Sequence, residues 1–487
     1  MIKRRTFLTA TVASLTALGT SAKSYARILG SHNRIRLAVI GLNGRGKDHI
    51  AGLASHIVAL CDCDRMVLEA EANRRGLLAL VDYREVLDRN DIDGVTIATP
   101  NHTHALIGIA ALLAGKHVYV EKPVSHNVWE GRQLANAAQK TGLICQAGTQ
   151  SRSSPSLQAA VEFVRSGALG KPLYAIGTCY KPRRSIGRLE SPLAIPGHIE
   201  YDLWCGPAEK VPLHRPQFHY DWHWDFNTGN GDMGNQGIHQ MDIARWFLGY
   251  SLISPRVISI GGRLGYEDAG NTPNTQTVLH DYPGAPIIFE TRGLPSSKAF
   301  QGNPRDWDRN MDVYRGCRVG VLIQYERGYV TVPDYTSATA YDLDGQTIET
   351  WSGGGNHYEN FVDAIRTNDP KRLHGPALEG HLSSALCHTG NISHQVGRIA
   401  SLTDIRAAVA DHPLYADSVE RMIAHLEAND VDVASLPTLT LGEDLQFDTQ
   451  REQIIGPSLA SGMLQRRGRA GFEIPEIEST PKVSTGG

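Results

Sequence analysis

The sequence predicts an α/β Rossmann domain with a doubly wound parallel sheet, followed by an α+β domain built on a large, mainly antiparallel open sheet. Three observations predict it. Between Arg34 and Thr149, apolar runs alternate with amphipathic stretches, the rhythm of strand and helix in a parallel sheet. The first of those runs ends in a glycine-rich turn. Beyond residue 152 strand-like runs follow one another with glycine and proline between them, the punctuation of antiparallel strands.

Residues 1–26 come first. The chain opens MIKRRTFLTA, a basic start with Arg4-Arg5 before Phe7 and Leu8, and an uncharged stretch then runs through Thr20 to close at Ser24-Tyr25-Ala26. That layout is expected of a twin-arginine export signal with a small-residue cleavage site. The stretch is too short, and too rich in Thr, Ser and Gly, for a convincing membrane span. The expected location is periplasmic, with no stable membrane span once the signal is removed, and the remainder is long enough for two or three domains.

The expected strands of residues 34–152 are RIRLAVI, HIVALCD, GVTIATP, HVYVEKP and LICQAGT. Residues 153–440 supply PLYAIGTCY, RVISIGGRL, APIIFETRG and GCRVGVLIQYERGYVTVP as strands, with late helices at HYENFVDAIRT and EGHLSSALCHTGNISHQVGRIA. Residues 441–487 read as a wrapping or frayed tail. With 48 basic against 51 acidic side chains, no field gathers phosphate backbones or anionic lipid, which argues against a nucleic-acid partner. The seven cysteines lack metal-ligand spacing beyond Cys61-Asp62-Cys63, and the strand context of Cys61, Cys63 and Cys145 makes them small buried hydrophobes.

The first strand runs straight into GLNGRG, with Gly41, Gly44 and Gly46 opening a helix and Asn43 where a second glycine is usual. Such a turn lets the backbone approach a pyrophosphate over the positive end of the helix. Asp62 stands twenty-one residues after Gly41, at the end of the second strand, where a carboxylate accepts both hydroxyls of an adenosine ribose. The pairing of loop and acid predicts dinucleotide binding. Because Asp62 repels a 2′-phosphate, NAD is favoured, while Arg45 and Arg65 keep NADP open.

ATPNHTHA (residues 98–105) and VEKPVSHN (120–127) each close a strand, where ligands bind in open α/β sheets. Together with the glycine loop, ATPNHTHA and the Glu121-Lys122-Pro123 triplet resemble the Gfo/Idh/MocA oxidoreductases. The closing LTLGEDLQFDTQREQIIGPS is similar to a subgroup common among exported members. The resemblance implies that Thr99, Pro100 and Asn101, with His104 nearby, contact the cofactor around the nicotinamide ribose. It also implies that Glu121 binds cofactor and that Lys122 is catalytic. A cation there stabilises an alkoxide forming beside the nicotinamide.

In the second domain GNGDMGNQGIHQMDIARWFLG (229–249) is similar to the family segment carrying D-x-x-x-H. His239 matches the histidine and is the candidate base, but Asn235 stands in the aspartate's place. An Asn orients a hydroxyl or an imidazole and brings no charge to raise basicity. Asp242, one turn on, is the alternative partner for the ring. Upstream, FHYDWHWDF, taken as extended, separates His219, Asp221, His223 and Asp225 from Tyr220, Trp222, Trp224 and Phe226. His219, His223 and Asp225, with Asn235, are therefore candidate substrate contacts, although the same alternation fits a core strand with a solvated face. No spacing fixes a third ligand beside these histidines and carboxylates, so no metal is assigned.

The resemblance implies reversible hydride transfer between a secondary alcohol of a sugar, glycoside or polyol and the nicotinamide. Two rivals remain: a redox-neutral glycosidase or epimerase of the same fold, and a binding protein that keeps the dinucleotide and turns nothing over. An exported enzyme lacks an assured supply of free nucleotide, so the cofactor is expected to be non-exchanging. A sheet with one uncovered face is expected to find a partner as a homodimer or homotetramer.

Overall fold

The computed structural model describes residues 34–456 and 458–478. The stretch read as an export signal lies outside the described residues. Six strands form the first sheet: β1 (Leu37–Ile40), β2 (Ile57–Cys61), β3 (Leu78–Leu80), β4 (Gly94–Ile97), β5 (His117–Val120) and β6 (Cys145–Ala147). Their order is β3-β2-β1-β4-β5-β6, every neighbouring pair parallel. Helices α1 (Arg45–Gly52), α2 (Arg65–Arg75), α3 (His104–Leu113) and α4 (Val128–Thr141) belong to its crossovers. β1 is a continuous apolar run because both of its faces are covered. Ala38 and Ile40 enter one core with Ile107 and Leu134, while Leu37 and Val39 enter the other with Ile50 and Phe361. Strand order reverses between β1 and β4, and that reversal opens a crevice at their carboxyl ends.

The second sheet holds β7 (Pro172–Tyr180), β8 (Arg256–Gly262), β9 (Thr275–His280), β10 (Ile287–Arg292), β11 (Val319–Tyr325), β12 (Gly328–Val332), β13 (Ser337–Tyr341), β14 (Thr347–Ser352), β15 (Arg398–Ala400) and β16 (Leu439–Leu441). They run in the order β14-β13-β12-β11-β7-β10-β9-β8-β16-β15, and β7 with β10 is the parallel pair in an otherwise antiparallel sheet. One face packs Val257, Val278, Phe289 and Val321 against α5 (Ile238–Leu248) and α6 (Ala377–Gln395).

The other face is not left bare over its middle strands. Ile176, Ile258, Leu279 and Ile288 are covered by Ile405, Tyr415, Val419 and Met422 from α7 (Leu402–Val409) and α8 (Pro413–Glu427). The expectation of a wholly uncovered face is corrected there, because the chain folds its own late helices onto it. The late segment expected to be helical also stops short, for Arg398–Ala400 leaves α6 and joins the sheet edge as β15.

After β16 the chain turns back to the first sheet. The Leu464 carbonyl accepts from the Trp129 N–H, and Asn136 on α4 donates to the Ile477 carbonyl at 3.0 Å. Phe472 and Ile477 are buried. Among the described residues no helix is long and apolar enough to cross a membrane. The seven cysteines are unpaired, all buried except the half-buried Cys63.

Candidate functional site

The loop between β1 and α1 is held by backbone contact. A Cβ on Gly41 would stand 2.7 Å from the Ala98 carbonyl carbon and the Thr99 nitrogen, and one on Gly46 would stand 2.0 Å from the Gly41 carbonyl oxygen. Only glycine fits either place. Gly44, with φ +50°, is different, since a Cβ there meets nothing within 4 Å. It borders a cavity of about 530 Å³ together with Gly41, Asn43 and Arg45. Asp62 lies across the same cavity, its Oδ2 accepting the Leu42 N–H at 2.8 Å and its Oδ1 the Asp64 N–H at 2.9 Å. Burial raises its pKa and the two N–H donors oppose that. A carboxylate offers about four lone-pair sites, so two acceptor sites remain for a ribose diol. The open cradle at Gly44 and this donor set fit a dinucleotide. Both arginines that kept NADP open are engaged: Arg45 on Glu121 and Asp48, and Arg65 on Glu200.

The ends of β4 and β5 supply the next wall. Thr99, Pro100, Asn101, His104, Glu121 and Lys122 all line the cavity. His104 spends its ring inside the protein, with Nδ1 2.6 Å from the Pro123 carbonyl and Nε2 2.7 Å from the Thr99 carbonyl. Burial lowers its pKa, and a neutral imidazole carries one N–H, so it donates to one of these two carbonyls and lies against the other. Asn101 donates to Asn230 Oδ1 at 3.1 Å, tying the first sheet's crevice to the second half of the chain. Burial alone would raise the pKa of Glu121. The hydrogen bond and charge of His49, then Arg45, hold it well below the usual carboxylate range. His49, wholly buried, is a partner that sequence reasoning missed.

Lys122 is the junction. Its Nζ donates to the Asn235 carbonyl at 2.5 Å, and burial pulls its pKa down to about 8 despite the opposing charge of Glu121. Asn235 sits in a π-helical turn, Met233–Gly237, that leads into α5. A π-turn carries one extra residue, so the simple one-turn spacing from Asn235 to His239 does not hold. His239 is not part of the cavity lining; Asn235 is. Burial, then the charge of Lys122, holds the His239 ring neutral, its pKa well below the ordinary value. Its Nδ1 has no hydrogen-bond partner. Asp242 does not hold that ring, since it accepts from Arg152 and Ser383 instead. Asp232 pairs with Arg183 through both oxygens.

The segment 218–226 is not extended. Asp221–Trp224 is a 3-10 turn entered through Tyr220 at φ 66°, so the alternation of polar and aromatic faces collapses. His219 swings to Asp64 Oδ2, at 2.9 Å, beside the α2 N-terminus and so next to Asp62 in sequence rather than Lys122. His223 stays on the cavity wall, its ring stacked on Trp222 at 3.6 Å, and burial lowers its pKa to about 3. Asp225 leaves the site. It turns toward Arg215 and Asn271, away from the cavity lining. Lys181, Gln236 and Tyr335 carried no signal in the sequence, yet the Tyr335 ring lies 4.7 Å from that of His239. Among the described residues no three His, Cys, Asp or Glu side chains gather as a metal site.

This fold and loop define a two-domain architecture that comparison places in a family. The model described as oxidoreductase family, NAD-binding Rossmann fold, matches residues 35–149, and that described as oxidoreductase family, C-terminal alpha/beta domain, matches 157–424. The chain belongs to the Gfo/Idh/MocA oxidoreductase family. It is similar to scyllo-inositol 2-dehydrogenase (NAD(+)) of Bacillus subtilis, 33% identical over 228 residues, 46% of this chain and 56% of that protein. It is also similar to levoglucosan dehydrogenase of Pseudarthrobacter phenanthrenivorans, 29% identical over 275 residues, 53% of this chain and 63% of that protein. The chain thus spans little more than half the length of these curated relatives. A solved levoglucosan dehydrogenase, in complex with NADH and levoglucosan, shares the fold with a TM-score of 0.53 at 20% identity, over 73% of this chain and 95% of that one.

Proposed function

We propose that this protein is an NAD(P)-dependent oxidoreductase acting on a secondary hydroxyl of a sugar, glycoside or polyol, with a tightly held cofactor. One observation carries the reading: the Lys122 ammonium sits on the Asn235 carbonyl, inside a cavity that begins at Gly44 and Asp62. Thr99 and Pro100, on the cavity wall, would hold a nicotinamide, which would supply the hydride acceptor. The chain's own groups handle charge and proton. As the carbinol C–H bond gave its electron pair to that acceptor, the hydroxyl proton would pass toward the neutral imidazole of His239, which stands behind the Asn235 turn that lines the cavity, and a carbonyl would form. Lys122 steadies the negative charge growing on that oxygen. Asp62 takes the ribose diol, which favours NAD. The names of the inositol and levoglucosan dehydrogenases support the polyol class.

The test mixes purified protein and NAD with inositols, anhydrosugars and glycosides in turn, following the near-ultraviolet absorbance of reduced nicotinamide. Reduction by a polyol is expected, falling by about a hundredfold or more in Lys122→Ala. No reduction with any substrate, or an undiminished rate in that variant, sinks the reading. Glycoside cleaved or epimerised with no net reduction would replace it by redox-neutral chemistry. The reading extends to export, supported by Arg4-Arg5 and the uncharged stretch after them, and fractionation of cells carrying Arg4→Lys with Arg5→Lys tests it. It extends also to a homodimer or homotetramer, which light scattering of the purified protein tests.

A further inference from the structure

A second cavity, of about 210 Å³, lies between the tail, α6 and the loop that leads into α4. It shares no lining residue with the cavity bordered by Gly44, Asp62 and Lys122. Three polar atoms of its lining side chains are buried and have no hydrogen-bond partner among the described residues: Asn127 Nδ2, Asn391 Oδ1 and Arg466 Nε. Asn127 and Asn391 are only 5% and 3% exposed, so bulk water does not serve them. The other end of each side chain is fixed. Asn127 caps α4, its Oδ1 accepting the Glu130 N–H at 2.9 Å. Asn391 Nδ2 donates to the Asn230 carbonyl at 2.8 Å, and Arg466 Nη1 donates to that of Asn227 at 2.9 Å. Neither amide can flip without losing the bond it already makes. Two donors and one acceptor are therefore set around one space.

A buried donor or acceptor left unmade is costly, and the signs of these three select what completes them. A carboxylate offers acceptors alone and leaves the Asn391 oxygen unmet. An ammonium offers donors alone and meets the Arg466 guanidinium as a like charge. A hydroxyl both donates and accepts, so a molecule carrying several answers all three atoms. We propose that this cavity is a second binding site, for a small neutral polyol, with the tail as one of its walls. At about 30 Å³ for each water of the liquid, the space equals about seven waters, the scale of a short polyol. Phe226, Ile392 and Met463 in the lining give its C–H groups an apolar surface. Glu209 and Gln465, also in the lining, are exposed, which gives the site a way in from solvent. One link joins the two cavities: Asn230 lines the second and takes the amide of Asn101, which lines the first, at 3.1 Å. The site stands apart from the oxidoreductase reading, since none of the groups assigned to hydride transfer enters it.

The test titrates the protein as purified with erythritol and with succinate, four-carbon chains bearing hydroxyls and carboxylates respectively, and locates erythritol in a soaked crystal. Erythritol is expected among Asn127, Asn391 and Arg466, bound about tenfold or more tighter than succinate. Asn391→Leu, outside the first cavity, should weaken erythritol by about tenfold. Arg466→Lys, which keeps the charge and drops Nε on a less buried side chain, should weaken it as well and decides the matter if Asn391→Leu does not fold. Ordered water alone in the cavity, succinate bound as tightly, or an erythritol affinity unchanged in Arg466→Lys overturns the proposal. Erythritol seated only in the first cavity overturns it too and leaves the oxidoreductase reading intact, whereas absence of NAD reduction by every polyol removes that reading and leaves the second site standing.

Discussion

On the proposed reading Lys122 would combine two demands that pull against each other, since it would have to be charged to steady an oxyanion while half-buried where charge is costly. Burial lowers its pKa to about 8, so the cation is present below that value and lost above it. Turnover by the wild-type protein should therefore fall as pH rises through about 8, whereas Lys122→Arg should stay flat, since a guanidinium keeps its charge throughout that range. A pH series of kcat checks this, and a wild-type profile with no fall across that range would take the ammonium out of the chemistry. Asp62→Ala should weaken NAD binding and narrow the preference over NADP, because the ribose loses its acceptor and a 2′-phosphate loses its repulsion. Titration with both nucleotides reads it, and unchanged selectivity would mean that Asp62 does not face the ribose. Asp62 stood out in the sequence because it ends a strand at a set distance from the glycine loop, and Lys122 because the Glu121-Lys122-Pro123 triplet carries a family resemblance. Lys181, Tyr335 and His49 were not. Their partners lie 55, 96 and 72 positions away or are met only through packing, and no local pattern encodes such a meeting.

Among elements, the β1 turn shows how tightly a backbone can specify a residue. Its glycines were readable because a strand, a turn and a helix follow in sequence, and the structure gives the reason in atoms: Gly46 lies against the Gly41 carbonyl. Gly46→Ala forces that carbonyl aside, and overpacking against backbone costs about 1–3 kcal/mol. A lower Tm together with loss of NAD binding is expected, while a variant that binds normally would show that the turn has slack. The segment 218–226 teaches the converse. Period-two alternation is shared by a half-buried strand and by an aromatic-rich turn, and the deciding feature, a positive φ at Tyr220, leaves no mark on composition. The π-helical turn before His239 was equally unreadable, since a helix with one inserted residue has the same apolar and small residues as one without. Counting in fours therefore assigned Asn235 a partnership that the backbone spends on Lys122 instead.

At the scale of the whole molecule the closing segment links three regions that also form the cavity. Arg466 donates to the carbonyl of Asn227 at 2.9 Å and approaches that of His102, which adjoins Asn101 and Thr103 on the cavity wall. Arg469 donates to the Gly206 carbonyl at 2.9 Å and pairs with Asp202, fixing the short helix that presents Leu203 and Trp204 to the same cavity. Phe472 lies under Arg84 and Arg469, and Ile477 docks on α4. Parting these walls would break contacts made by the tail. On the reading proposed above, retention of the cofactor would be a property of these braced walls rather than of any one binding residue. Removal of residues 465–487 takes Ile474 and Ile477 from the edge of the first sheet's core and leaves the other cores whole, so both sheets should stay folded with some loss of stability. The same removal should speed cofactor release by about tenfold or more, with kcat at saturating NAD within about twofold of the parent, since affinity changes of this kind appear mainly in dissociation. The measurement is the rate at which bound nucleotide is lost during dialysis of the full-length and shortened proteins, each assayed with and without added NAD. Equal loss from both would separate the tail from cofactor retention, and rapid loss from the full-length protein would make the cofactor an exchanging cosubstrate.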